Sequence, residues 1–90
     1  MMRIITLDGQ KMTSMETSHI YIASELNLPD YYGRNLDALW DILSSISEPI
    51  QVTIINRKQL DGYLGEYAQS LLNVFLEAEL VNEKFSVKVL

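Results

Sequence analysis

The chain has 90 residues, with seven Lys or Arg against twelve Asp or Glu, so its formal net charge is −5. Apolar residues make up 48% of it, which is enough for one core, and the length predicts a single domain over residues 1–90. The absence of cysteine excludes a disulfide framework, a thiol nucleophile and a cysteine-ligated zinc site, and the small size excludes a large multi-step enzyme.

The charge and hydropathy of the chain also limit its partners and its location. Nucleic-acid phosphates need clustered Lys and Arg, so the acidic balance argues against direct nucleic-acid binding and favours a basic protein partner. No segment approaches the roughly 18–20 apolar residues of a membrane span, and the N-terminal residues lack the apolar region of a signal peptide. We therefore expect a cytoplasmic protein with no membrane contact.

The chain begins with a predicted strand and a predicted helix. Residues 3–7 are rich in β-branched side chains and predict a strand. Thr13 and Glu16 have the spacing of a capping box, which predicts that a helix begins at Thr13. Pro29 is expected to end this helix. Its predicted apolar stripe consists of Met15, His19, Ile22 and Leu26.

A loop, a second helix and a second strand follow. Residues 30–34 are predicted to form the loop, and Asn35 is a favourable N-cap for the helix, which Pro49 bounds. Residues 50–55 then predict the middle strand. The apolar side of the second helix is predicted to contain Leu36, Leu39, Trp40 and Leu43.

The last part of the chain predicts two helices and a final strand. Asn56 is expected to cap a short helix that Gly62 and Gly65 interrupt or end. A helix over residues 67–82 and a one-sided or edge strand over residues 85–90 complete the chain. Strands separated by helices favour parallel pairing, so the predicted class is α/β. The buried side of the final helix is predicted to be Ala68, Leu71, Leu72, Phe75 and Ala78.

Two acids on the second predicted helix are not explained by fold formation. Asp37 and Asp41 are four residues apart, so their like charges share one helix face and cost a few tenths of a kcal/mol. Trp40 lies between them, and Tyr31 and Tyr32 precede them on the loop. Either the acids are simply solvated and the aromatic side chains belong to the core, or the segment is a recognition surface for Arg and Lys. The pattern alone does not separate these two interpretations.

Catalytic and metal-binding alternatives have weaker support. Asp37 and Asp41 could act as a hydrolase carboxylate pair, but water would screen the coupling between two acids on an exposed helix face. His19 is the sole histidine and lies on an apolar stripe, which favours a packed or hydrogen-bonded imidazole over a general base. Glu77 is predicted to point away from the core as a solvated carboxylate. We expect no metal and no cofactor.

The segment LPDYYGRNLDALWDIL, residues 28–43, resembles the barstar family of intracellular inhibitors of barnase-type ribonucleases. A weaker similarity covers residues 74–78, and His19 lies ten residues before Pro29, where the family often has histidine. The resemblance implies a three-stranded parallel sheet packed against about four helices, no catalysis, and a monomer that forms a 1:1 complex. Its partner would be a basic, guanyl-preferring microbial ribonuclease, blocked when the second helix and the preceding loop enter its active-site cleft.

The resemblance also implies roles for individual side chains. Asp41 would mimic a substrate phosphate and receive charge-assisted hydrogen bonds from Arg and His of the enzyme. Tyr31 would cover a catalytic histidine or fill the base site, and Trp40 would brace the helix and touch the rim. Asn35 and Asp37 would contact the region near the guanine-recognition loop, and Glu77 would reach the cleft from the last helix. The complete expected partner-binding set is Tyr31, Gly33, Asn35, Asp37, Ala38, Trp40, Asp41, Ser44 and Glu77.

The chain departs from the family pattern at a few positions. Arg34 places a positive charge inside the motif, where it would repel a basic cleft unless it folds back onto Asp30 or Asp37. Ser45 and Ile46 stand where relatives carry a glycine and an aromatic residue. Arg34 and Ile46 favour the alternative of a barstar-like binding module that has another partner, either a different toxin nuclease or a non-nuclease protein.

Overall fold

The computed structural model describes residues 2–90, whose strands form one parallel sheet. These strands are β1 (Arg3–Asp8), β2 (Ile50–Ile55) and β3 (Phe85–Val89), and they lie in the order β1-β2-β3. Ile50 pairs with Arg3 of β1 on one side and with Phe85 of β3 on the other. The predicted α/β class, the parallel pairing and the position of the last strand at an edge of the sheet are confirmed.

Four helices connect and cover the described strands, in agreement with the number that the resemblance implied. They are α1 (Met15–Leu26), α2 (Leu36–Ser45), α3 (Arg57–Leu64) and α4 (Glu66–Val81), and a short 3₁₀ helix (Gly9–Lys11) follows β1. Alternate residues of β2 are buried, so one face of the sheet packs against the helices. The predicted buried side of α4 is confirmed at all five positions.

The predicted start of α1 is wrong by one residue. Ser14, not Thr13, is the N-cap, and its Oγ accepts a hydrogen bond from the Thr17 amide at 3.1 Å. Two adjacent hydroxyl residues offer equivalent local caps, so the sequence pattern could not distinguish them. Met15 is also 55% exposed, although it lies on the predicted apolar stripe, because it occupies the first turn of the helix at the wall of an open groove.

The end of α1 differs from the prediction as well. The helix stops at Leu26, and Asn27 adopts the left-handed conformation with a φ of 55°. The Leu28 amide then donates to the Ala23 carbonyl at 2.9 Å, which satisfies a carbonyl of the last turn. Asn27 therefore ends the helix before Pro29 is reached.

Asn56 precedes α3 but does not cap it, contrary to the prediction. Its φ is 58°, and its side-chain amide donates to Asp8 Oδ1 at 2.8 Å instead of meeting a helix amide. Gly62 lies within α3, while Gly65, with a φ of 59°, separates α3 from α4. The Asn56–Asp8 hydrogen bond thus joins the carboxyl ends of β2 and β1. In the described part of the chain, no helix combines the length and apolar character needed to cross a bilayer.

Candidate functional site

The two consecutive tyrosines of the loop before α2 have opposite environments. Tyr31 is 86% exposed, whereas Tyr32 is only 7% exposed. The Tyr32 amide donates to the Pro29 carbonyl at 3.0 Å, which closes a turn. Tyr32 therefore anchors the loop from inside, and Tyr31 is presented to solvent.

A buried histidine holds Tyr32 in place. His19 of α1 is 1% exposed; its Nδ1 lies 2.6 Å from the Tyr32 hydroxyl and its Nε2 lies 2.7 Å from the Tyr67 hydroxyl of α4. A neutral imidazole donates through one nitrogen and accepts through the other, so one tyrosine receives a hydrogen bond from the ring and the other donates one to it. This network joins α1, the loop and α4, and it confirms that His19 is a hydrogen-bonded structural imidazole.

Burial changes the acid–base properties of this network in a consistent direction. It lowers the pKa of His19, because a charged imidazolium would lose its hydration. Burial also raises the pKa of Tyr32, with a further contribution from the nearby Tyr67, and it raises the pKa of Tyr67. All three groups are therefore neutral near pH 7, which suits a structural role.

The beginning of α2 is shaped by Asn35 and Gly33. Asn35 Oδ1 accepts from the Ala38 amide at 2.7 Å, which confirms the predicted N-cap, and Asn35 Nδ2 donates to the Gly33 carbonyl at 3.2 Å. A Cβ at Gly33 would lie 3.3 Å from the Ala38 Cβ, closer than most such contacts in proteins. Asn35 and Gly33 thus fix the path of the loop into the helix. Their contacts with a partner remain a prediction.

The acids of α2 face solvent. Asp37 and Asp41 are exposed and one turn apart, so their Cβ atoms are separated by roughly 6 Å. Neither carboxylate forms an ion pair among residues 2–90. The ion pair found in this part of the chain joins Arg57 to Asp61 on α3. Together with Tyr31, Gly33 and Asn35, which are also exposed, these acids form what we call the α2 surface.

The other predicted site residues on α2 are partly buried. Trp40 and Ala38 pack against the core, and Ser44 is half-buried with its Oγ 3.3 Å from the Asp41 carbonyl. Trp40 braces α2 from beneath while Asp41, its neighbour in sequence, points to solvent. The structure thus places these three side chains at the margin of the α2 surface.

Glu77 lies on a different helix from the rest of the predicted set. It is exposed on α4, as predicted, and α4 packs against α2. Asn82, directly after α4, donates to the Leu43 carbonyl at 2.9 Å and to the Ile46 carbonyl at 3.0 Å. This buried amide ties the end of α4 to the end of α2, so the two helices that carry the predicted acids are held as one unit.

Arg34 does not fold back onto the neighbouring acids. It is exposed, and it forms no ion pair with Asp30 or Asp37. Its φ of 53° lies in the left-handed region, which is uncommon for a residue with a long side chain. The sequence offered no sign of this conformation, since glycine, the usual residue for it, stands one position earlier at Gly33.

The side chains of the described residues do not form a metal centre. Groups of three or more His, Asp or Glu side chains that could hold a metal ion are not found among residues 2–90. His19 lines the same open groove as Asp37, but both of its ring nitrogens are engaged by the hydroxyls of Tyr32 and Tyr67. The arrangement therefore offers an exposed acidic and aromatic surface on a rigid support, which suits binding of a protein.

The chain is similar to known proteins over nearly its full length. The family model described as "Barstar (barnase inhibitor)" matches residues 2–90. The chain is also 39% identical over 88 residues to a protein of Bacillus subtilis (strain 168) named "Putative ribonuclease inhibitor YrdF". That alignment covers 96% of this chain and 97% of the Bacillus protein.

Proposed function

This chain belongs to the Barstar family, and from that membership we propose that it inhibits a basic, guanyl-preferring microbial ribonuclease by occupying the active-site cleft. The α2 surface enters the cleft and takes the place of the RNA substrate. The observation that carries this proposal is the pair of exposed carboxylates, Asp37 and Asp41, which form no ion pair among residues 2–90, together with the exposed ring of Tyr31 on the preceding loop. The chain acts as a binding protein in this scheme and catalyses no reaction.

The acids supply the electrostatic part of recognition. A ribonuclease cleft concentrates fixed positive charge, whose mutual repulsion is relieved when substrate phosphates or substitute anions bind. Asp41 takes the phosphate position and accepts hydrogen bonds from Arg and His of the enzyme, and Asp37 lies one turn away, toward the guanine-binding region. The net charge of −5 attracts a basic partner over a distance and raises the association rate at low salt.

The aromatic and neutral residues complete the contact. Tyr31 has a large exposed area and lies on the base-binding side or over a catalytic histidine, where a rigid ring excludes water at a small entropic cost. Gly33, Asn35, Ala38, Trp40 and Ser44 surround the acids, and Glu77 extends the contact from α4. His19 and Tyr32 support this surface without touching the partner, because both are buried.

The α2 surface is also prepared for binding before the partner arrives. The His19 network, the Asn35 cap and the Asn82 tether all fix backbone that carries the predicted contacts. Ordering a flexible loop would consume part of the binding free energy, and a loop already anchored avoids much of that cost.

The test is a titration of the purified protein against a barnase-type ribonuclease that cleaves a fluorogenic guanosine-containing substrate. Asp41→Ala should weaken inhibition by at least about 30-fold, which corresponds to about 2 kcal/mol or more for a central interface residue. Glu48→Ala is the matched control, since Glu48 is exposed and lies beyond the end of α2. Equal effects of the two substitutions on inhibition, with both variants folded, would refute the proposal.

A second candidate function is a Barstar-family binding module with a different partner. Arg34 favours this alternative, because its positive charge, which takes part in no ion pair among residues 2–90, stands among the acids that would meet a basic cleft. Absence of inhibition by the folded wild-type protein at both low and high salt would favour this second function.

A further inference from the structure

Arg34 carries a positive charge in the candidate site, and attraction to a basic cleft does not explain its presence there. It holds a left-handed backbone conformation, with a φ of 53°, that disfavours any side chain beyond glycine. It directly precedes the Asn35 N-cap, so its charge lies at the positive end of the α2 dipole. Both features work against an arginine at this position, and a neutral residue or glycine would avoid them.

No ion pair among the described residues offsets these disadvantages. Among residues 2–90 the Arg34 guanidinium takes part in no ion pair, and Asn35 and Tyr32 beside it bond to other groups. Two open grooves flank the side chain. One is lined by Glu16, Asp37 and Tyr67 as well as Arg34, and the other by Asp30, Pro29, Tyr32 and Arg34. Arg34 therefore forms an exposed cationic ridge between two concave regions, and its donors are available to a partner.

The chemistry of guanidinium defines what such a partner presents. Arginine offers a planar set of donors that pairs with a carboxylate through two parallel hydrogen bonds. A lysine or arginine of the partner at the same place would be repelled. Repulsion between like charges across an interface distinguishes related targets.

We propose that Arg34 is a specificity-determining residue, which pairs with a carboxylate at the rim of the target ribonuclease while Asp37 and Asp41 meet the cationic interior of the cleft. This inference rests on the proposed function and narrows it to a subset of targets. The preferred enzyme is basic inside its cleft and acidic at one rim position. Ribonucleases with a cation at that position are bound more weakly.

The experiment compares pairs of ribonuclease variants with two forms of the inhibitor. For each non-catalytic position around the rim of its cleft, a barnase-type ribonuclease is prepared in two forms, one with Lys and one with Glu at that position. Inhibition constants are then measured for the wild-type inhibitor and for its Arg34→Glu variant. At one rim position the Glu enzyme should bind the wild-type inhibitor at least tenfold more tightly than the Lys enzyme, and this order should reverse for Arg34→Glu. Lys58→Glu, which changes an exposed cation on α3, is the matched control and should leave the order unchanged.

The outcomes distinguish this inference from the function on which it rests. If Asp41→Ala abolishes inhibition but both inhibitor forms prefer the same charge at every rim position, the role of Arg34 is refuted and the proposed function stands. If neither folded form inhibits any of the enzymes, the proposed function fails and the role of Arg34 fails with it. Far-ultraviolet circular dichroism of each variant checks that the fold is retained.

Discussion

The hydroxyl of Tyr32 and Nδ1 of His19 are 2.6 Å apart in the protein interior, and this contact fixes the loop that carries Tyr31. Its two partners are 13 residues apart in sequence and belong to different elements. The exposure of Tyr31 is thus a consequence of the burial of its neighbour. The core of α1 and the candidate binding surface are parts of one packed arrangement.

Removal of the Tyr32 hydroxyl should destabilise the fold. Tyr32→Phe leaves one nitrogen of the buried His19 without its partner, which should lower the free energy of unfolding by about 1–3 kcal/mol. Urea unfolding followed by tryptophan fluorescence measures the change. Tyr31→Phe is the control and should shift the free energy by no more than about 0.5 kcal/mol, because that ring is exposed. Equal destabilisation by the two substitutions would contradict the assigned roles.

Stability should fall in mildly acidic solution because of His19. Burial lowers the pKa of the folded His19 below its ordinary value of 6.5, so the unfolded chain binds the proton first as the pH decreases. The free energy of unfolding should be level above about pH 6.5. Below that value it should decline, by at most about 1.4 kcal/mol per pH unit, until the folded pKa is passed.

The contribution of His19 to this pH dependence can be separated from that of the carboxylates. Asp8 has its pKa held below the usual 3.8 by hydrogen bonds from the Asn56 side chain and the Gln10 amide, so its contribution is lost only below about pH 3.8. Urea unfolding at intervals from about pH 8 to about pH 5 tests the contribution of the histidine. His19→Gln should flatten the profile in this window, and an unchanged slope in that variant would show that another group is responsible.

Short-range patterns predicted most of the helices and strands, because their causes are local. The Asn35 cap depends on a hydrogen bond that its side-chain oxygen accepts from the amide three residues later, and the buried side of α4 follows from helical periodicity. The errors also have local causes. Thr13 and Ser14 are equivalent as caps, and Asn56 resembles a cap although its side chain is engaged by Asp8, 48 residues away.

The sequence motif proposed the residues of the candidate site, but it did not predict how the structure supports them. The motif indicated the loop and α2, yet nothing local distinguishes Tyr31 from Tyr32. Their difference in burial depends on His19 of α1, and Tyr67 joins the same network from 48 residues beyond that histidine. The sequence also did not determine whether Arg34 folds back onto the neighbouring acids, and sequence patterns rarely indicate a left-handed backbone for arginine.

Two glycines should respond in opposite directions to substitution by alanine. A Cβ at Gly9 would overlap the Asn56 carbonyl oxygen and lie 3.0 Å from the Leu60 Cβ, so Gly9→Ala should destabilise the protein by about 1–3 kcal/mol. Gly62 lies in α3 with no atom within 4 Å of the added Cβ. Gly62→Ala should stabilise it by about 0.5–1 kcal/mol, since alanine restricts the unfolded chain. Thermal unfolding of both variants tests the pair, and destabilisation by Gly62→Ala would contradict the open environment.

Substitutions of Glu77 and Glu79 should have different effects, one on ribonuclease binding and the other on stability. Glu79 Oε2 accepts a hydrogen bond from the Val87 amide at 2.9 Å, which satisfies a donor on the outer edge of β3. Glu79→Ala should therefore lower the free energy of unfolding by about 0.5–1.5 kcal/mol and promote self-association through the exposed strand edge. Glu77 has no such bond to the sheet, so Glu77→Ala should leave unfolding unchanged and weaken ribonuclease inhibition.

Both variants are compared by chemical unfolding, analytical ultracentrifugation and inhibition titrations against a barnase-type ribonuclease. We expect Glu79→Ala to change stability and self-association, and Glu77→Ala to change inhibition. The two residues lie on the same helix, two positions apart, so each substitution controls for the general effect of removing an acid from α4. Loss of inhibition in Glu79→Ala at a concentration where it remains folded and monomeric would place the contact on the β3 side of α4. Unchanged inhibition in Glu77→Ala would remove α4 from the proposed interface and confine it to the α2 surface and its margin.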